Sequence, residues 1–235
     1  MREHAPAARH GSPEEPTASD AAAIPVITDP VGVMLDVLNL DSGAARTTED
    51  IFTGVSQPMP TGRIFGGQVL AQAIIAADRT TDDDRLPHSM HGYFLRPGDA
   101  STGLTLAVER IHDGRSFSTR RTQAYQHGVP IFSMISSFER EDPGLEHQTP
   151  APEGVLSPEE ALERSGASRL HPLSRRLLDD SPIEVVHADG AIYDRVPGAH
   201  VPRQDVWMRT RRGIGDDPAL HRAVLAYMSL SLIHI

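Results

Sequence analysis

The sequence predicts an α+β protein, and three features carry that expectation. An alanine-rich run, VLAQAIIAAD, sets Val69, Ala73 and Ala76 on one helical line and Leu70, Ile74 and Ala77 on the next. Behind it come segments rich in Thr, Val, Ile, Phe and Tyr, joined by short glycine-bearing links that suit antiparallel pairing. After a proline-rich stretch, strand-like and helix-like patterns resume in the order strand, strand, helix.

Residues 1–28 mix charges with Pro6, Pro13, Pro16 and Pro25 and hold no long apolar run, so a disordered tail is expected. Val31 to Leu40 is dense enough in apolar residues for a short helix or buried segment, and Asp41-Ser42-Gly43 stops it. Asp50 to Ser56 looks like a strand. Gly66 and Gly67 stand at the mouth of the Ala-rich helix, where small residues free backbone amides to face a ligand and let a sheet approach closely.

His88 to Leu95, Leu104 to Ile111, Ser116 to Gln126 and Pro130 to Glu139 read as strands. Asp113-Gly114 and His127-Gly128 offer positive-φ positions for tight turns, so residues 104–139 should form a three-strand meander. In its middle strand Phe117, Thr119, Arg121, Gln123 and Tyr125 share one face, and Ser118, Arg120 and Thr122 the other. Glu141 to Leu156 has three prolines, two glycines and no apolar period, the mark of a linker. Ser157-Pro158-Glu159-Glu160 opens a helix, and a second is expected around Leu173 to Leu178. Ile183 to His187 and Val206 to Thr210 read as strands, followed by a helix from Asp216-Asp217-Pro218 through Met228.

Composition excludes several chemistries. Among 235 residues there are 32 acids and 22 basic residues, all of them arginine, for a net charge of −10. Without lysine there is no P-loop amine and no Schiff base. A net acidic chain with no basic cluster makes nucleic acid a poor ligand. With no cysteine there is no thiolate nucleophile and no disulfide framework, and cytoplasm is the default compartment. No segment suits a membrane span.

Gly66-Gly67 suits an oxyanion site at a helix N-terminus, although close helix-sheet packing is the simpler explanation. His88 and His91 are three apart in a strand, where alternation sends them to opposite faces, so no metal is expected there. Alternation equally separates Arg120 from Arg121. Either could meet a phosphate alone, but a surface salt bridge is favoured. Arg96-Pro97-Gly98-Asp99 reads as a turn. Gly114-Arg115-Ser116-Phe117-Ser118 lacks the second glycine of a nucleophile elbow, and Gly213-Ile214-Gly215 lacks the third glycine of a dinucleotide loop.

Several segments in order carry a resemblance. Arg63-Ile64-Phe65-Gly66-Gly67-Gln68-Val69, the run His88 to Asp99, Asp113 to Arg121, Ile131-Phe132-Ser133-Met134 and Gln204 to Arg209 together resemble the bacterial acyl-CoA thioesterase II family, across about residues 30–229. The resemblance implies a double hotdog, two antiparallel sheets each wrapped around one helix. On that expectation residues 29–140 are a complete first hotdog, 141–182 a linker with short helices and 183–235 a truncated second hotdog. It implies hydrolysis of acyl-CoA to free fatty acid and CoA through an activated water, with no cofactor, and a homo-oligomer as a family-level expectation. Phe65, Gly66, Gly67, His91 and Tyr93 are the expected substrate-binding residues.

The family places an aspartate after the helix of the second hotdog, assisted by a hydroxyl residue and a glutamine further on. Here Leu230 fills the aspartate slot, and leucine accepts no proton. The other two positions would lie beyond Ile235, so no catalytic residue carries over and the chain as written is expected to be inactive. A non-catalytic acyl-CoA binding module is the alternative. A hotdog dehydratase is weaker, because no His-Asp or His-Glu pairing can be located. The last six residues, Leu230 to Ile235, translate from CTG TCT CTT ATA CAC ATC, the end of a transposase adapter, so the natural protein is expected to continue differently after Ser229. The helix residues Leu220, Val224, Leu225 and Tyr227 would then lack their covering sheet.

Overall fold

The computed structural model describes residues 27–43, 48–165, 179–188 and 204–230. The expected tail up to residue 26, the second short helix near Leu173 and the adapter-like residues after Leu230 lie outside them. α1 (Pro30–Leu38) begins at Asp29, whose carboxylate accepts from Gly32 N–H, with Pro30 in the first turn. Its Val31, Met34, Val37 and Leu38 are buried, an apolar stripe at helical spacing.

β1 (Asp41–Gly43) and β2 (Asp50–Gly54) form the first antiparallel pair. The stop expected at Asp41-Ser42-Gly43 is thus a short edge strand. The chain then enters α2 (Gly66–Asp78), which is buried along nearly its whole length. β3 (Arg85–Phe94), β4 (Leu104–Asp113), β5 (Phe117–Gln126) and β6 (Val129–Arg140) complete a six-stranded sheet in the order β1-β2-β4-β5-β6-β3. Every pairing is antiparallel. Because β3 joins at the far edge, the preceding helix is carried across the sheet and packs against β3, β4, β5 and β6. Alanines 71, 73, 76 and 77 are fully enclosed, and their small size permits that approach.

The meander follows expectation. At the β5–β6 turn His127 has φ 50° and Gly128 φ 74°, the two positive values a tight hairpin requires. Gly114 differs, since its φ is not positive. A bulge between Arg110 and His112 alters the register there, and a Cβ at Gly114 would sit 2.6 Å from His112 Nε2. The face assignment in β5 holds: Ser118, Arg120 and Thr122 are buried and Phe117 and Arg121 exposed.

Arg120 is not the surface salt bridge expected for it. It is 1% exposed and reaches past the sheet to the C-terminal end of α2, where its guanidinium donates to Thr80 Oγ1 and to Thr80 C=O. It also donates to His112 C=O and to Asp113 Oδ1. Burial raises the Asp113 pKa, but the hydrogen bonds from Ser118 and Arg120 and the arginine charges outweigh it and hold the carboxyl below its usual range. Arg121, on the other face, does make a surface pair, with Glu109.

Residues 141–157 form no helix or strand, and α3 (Pro158–Ser165) follows with Ser157 and Glu160 exchanging capping hydrogen bonds. β7 (Ile183–His187) and β8 (Val206–Thr210) pair as a two-stranded sheet. α4 (Pro218–Ser229) is capped by Asp217, which accepts from Ala219 N–H. It lies along α2 in the opposite direction: Tyr227 stands at the α2 entrance, and Asp217 is close enough to Asp78 to raise its pKa. The expectation that Val224 and Tyr227 lack cover is corrected, because both are buried with Ala223 against the first-half core. Leu225 stays exposed.

Candidate functional site

The α2 entrance is built by a sharp change of direction. Gly62, with φ 68°, turns the chain, and Arg63 then bridges antiparallel to Asp99. Ile64 N–H donates to Gly98 C=O and Ala100 N–H to Gly62 C=O. The Arg96-Pro97-Gly98-Asp99 turn is thereby tied to the strand leading into α2. Gln126 secures it from the sheet side, accepting from Asp99 N–H and donating to Asp99 C=O and Thr102 C=O. α2 starts at Phe65 with no side-chain cap, so its first amides have no partner from a capping residue.

A cavity of about 600 Å3 opens at this uncapped end. Phe65, Gly66 and Val69 form one wall, Phe94 and Leu95 at the end of β3 another, and Ile131 and Phe132 the sheet side. Leu230, the residue capping α4, closes it opposite the helix mouth. A Cβ on Gly66 would lie 3.1 Å from the Phe94 ring and 3.2 Å from Leu230 Cδ1, so glycine lets these two side chains close in on the helix mouth and any larger residue would crowd them.

The two entrance glycines have different surroundings. Gly66 lines the cavity, whereas a Cβ on Gly67 would collide with the Phe65 ring and with Tyr227 C=O. Gly67 is the close-packing glycine, where α4 crosses α2 and Phe65 meets Tyr227 edge-on at 4.9 Å.

His91 and Tyr93 are placed elsewhere. They lie on the outer face of the sheet, exposed, with rings 4.8 Å apart, and neither lines the cavity. His88 does not point opposite to His91 as strict alternation requires. A bulge between Pro87 and Ser89 breaks the period, so His88 also sits outside and meets Ser137 Oγ at 2.9 Å. Among the described residues no group of three His, Asp or Glu is arranged to hold a metal ion.

Sequence reasoning missed the polar pin beneath the entrance. Gln68 and Gln72 are fully buried. Gln68 accepts from Gln57 N–H and donates to Val55 C=O, and Gln72 donates to Val37 C=O and Val55 C=O. Tyr227 donates to Gln57 Oε1 at 2.9 Å, joining α4 to the same network. Burial pushes the Tyr227 hydroxyl pKa well up, so it remains a donor. The available signal was two glutamines four apart within an otherwise apolar helix.

Comparisons with known proteins agree with this architecture. Residues 55–139 match the family model described as the acyl-CoA thioesterase N-terminal domain. Human acyl-coenzyme A thioesterase 8 is 34% identical over 206 residues, 82% of this chain and 63% of that protein. Acyl-CoA thioesterase 2 of Haemophilus influenzae is 32% identical over 185 residues, 76% of this chain and 64% of its own. The solved tesB protein of Mycobacterium avium subs paratuberculosis superposes with TM-score 0.64 at 32% identity, covering 85% of this chain and 69% of that one. The sheet around α2 is the hotdog arrangement, and the chain belongs to the acyl-CoA thioesterase II family. It spans a little under two thirds of the length of the curated relatives it matches. Among the described residues no helix is long and apolar enough to cross a membrane.

Proposed function

We propose that the cavity at the α2 entrance takes the acyl-thioester portion of acyl-CoA, and that the family chemistry to which it belongs is thioester hydrolysis by an activated water. The observation that carries this reading is an apolar cavity meeting an uncapped, glycine-led helix N-terminus, with Leu230 directly across from Gly66. Backbone amides and the positive helix end suit a carbonyl oxygen that gains charge during attack. Phe65 and Gly66 belong to the substrate groove, and Gly67 supports it through packing.

On this reading β7, β8 and α4 are the opening of a second hotdog, with α4 as the counterpart of α2. The carboxylate that the family places after this helix would stand across the cavity from the α2 amides, where a water could be oriented onto the thioester. Leu230 offers no acceptor there, so this chain binds acyl-CoA without turning it over appreciably.

Steady-state hydrolysis of dodecanoyl-CoA by the chain and by its Leu230→Asp variant, with binding measured on both, tests the reading. Binding by both and hydrolysis above background only in Leu230→Asp is expected. A non-catalytic binding module predicts binding without hydrolysis in both. Full-rate hydrolysis by the unaltered chain would refute the role given to position 230.

A further inference from the structure

We infer that Arg63 and Arg96 form an anion-recognising end to the apolar cavity and select ligands that join an acyl chain to a phosphate or carboxylate. This rests on the acyl-thioester reading above and adds the determinant of its selectivity. The chain carries 32 acidic residues and a net charge of −10, yet no Asp or Glu is among the described residues that line this cavity. The charged side chains there are two arginines, both exposed at its rim. In so acidic a protein a cavity whose charges are all positive is a local inversion, and it attracts anions selectively.

The backbone brings the two arginines to one place. Arg63 lies in the strand entering α2 and Arg96 in the turn after β3, and the bridge between Arg63 and Asp99 ties those segments together. The carboxylate nearest in that pairing is committed elsewhere: Asp99 Oδ1 accepts from Ser101 N–H and from Ser101 Oγ, bonds that hold its pKa below the ordinary value. Among the described residues no carboxylate forms an ion pair with Arg63 or Arg96. Arg96 spends one N–H on Pro130 C=O at 2.8 Å, which fixes its direction and leaves further donors of the planar fork free. A guanidinium so held binds a phosphate or carboxylate oxygen through paired hydrogen bonds.

Two sources share this chemistry, the phosphates of the CoA portion and the carboxylate of a free fatty acid. Calorimetric titration of the full chain with dodecanoyl-CoA, with dodecanoate and with the uncharged dodecanoyl thioester of N-acetylcysteamine separates them. Dodecanoyl-CoA should bind more tightly than the uncharged thioester, with the preference shrinking in high salt. R63Q and R96Q should each weaken dodecanoyl-CoA by roughly ten-fold and leave the uncharged thioester unchanged. R63K and R96K should recover part of the loss, because charge returns without the fork. If dodecanoate alone carries the preference, the anion site stands and the thioester reading of the cavity falls. Equal weakening of charged and uncharged ligands, no weakening of either, or no binding by any of the three would overturn the proposal.

Discussion

Arg120 shows how much a single side chain contributes here. Its guanidinium is enclosed between β5 and the end of α2 and donates to the backbone carbonyls of Thr80, His112 and Thr119. Removing it leaves buried acceptors without donors, which costs more than the lost bonds alone. Arg120→Ala should lower unfolding free energy by about 2–4 kcal/mol in denaturant titration, whereas Arg121→Ala, on the exposed face of the same strand, should change it by less than about 1 kcal/mol. Sequence alternation assigned the two arginines to opposite faces correctly. What it lacked was any sign that the inner face is the polar one at that end, because the acceptors come from α2 and the β4–β5 link, distant in sequence.

Asp78 is a second residue whose energetics follow from its place. Burial at the end of α2 and the charge of Asp217 raise its pKa to about 6 from 3.8. The folded state therefore favours the protonated acid, and that contribution is full below about pH 4 and lost as pH rises through about 6. Asp78→Asn should stabilise the protein at pH 7 by about 1–2 kcal/mol, after allowance for partial solvent screening. The gain should vanish by pH 4 in thermal melts across that range. A gain that persisted at low pH would locate the effect in packing instead of ionisation.

At the scale of elements, the crossing of α2 and α4 is the decisive contact. It depends on Gly67, where any Cβ meets a backbone carbonyl and an aromatic ring, neither of which yields easily. Gly67→Ala should destabilise by about 2–3 kcal/mol, judged by chemical denaturation, and should do so more than Gly66→Ala, whose neighbours are side-chain tips at the cavity edge. Both helices and the meander were legible in the sequence, because helical spacing and glycine turns are local signals. The helix crossing was not, since it joins residues about 160 positions apart. His91 and Tyr93 were expected from the resemblance alone, and β3 sets both on the outer face away from the cavity; the bulge in that strand accounts instead for His88, which it brings to the same face.

For the whole molecule, segment 141–157, exposed as far as residue 154, divides two parts that remain in contact through α2 and α4. Limited proteolysis should nick this segment first, and the two fragments should co-elute in size exclusion, because Ala223, Val224 and Tyr227 are buried against the first part. Rapid loss of the C-terminal fragment would mean that the helix crossing is weaker than its burial implies.

Occupancy of the α2-entrance cavity by the acyl chain of acyl-CoA has a direct chemical signature. Photolabelling with an acyl-CoA carrying a diazirine on the acyl chain, followed by peptide mass spectrometry, tests it most directly. Label is expected on Phe65, Phe94 and Phe132, competed away by dodecanoyl-CoA, with none on the outer-face residues His91 and Tyr93. Label concentrated on His91 and Tyr93, or label that dodecanoyl-CoA does not displace, would contradict it.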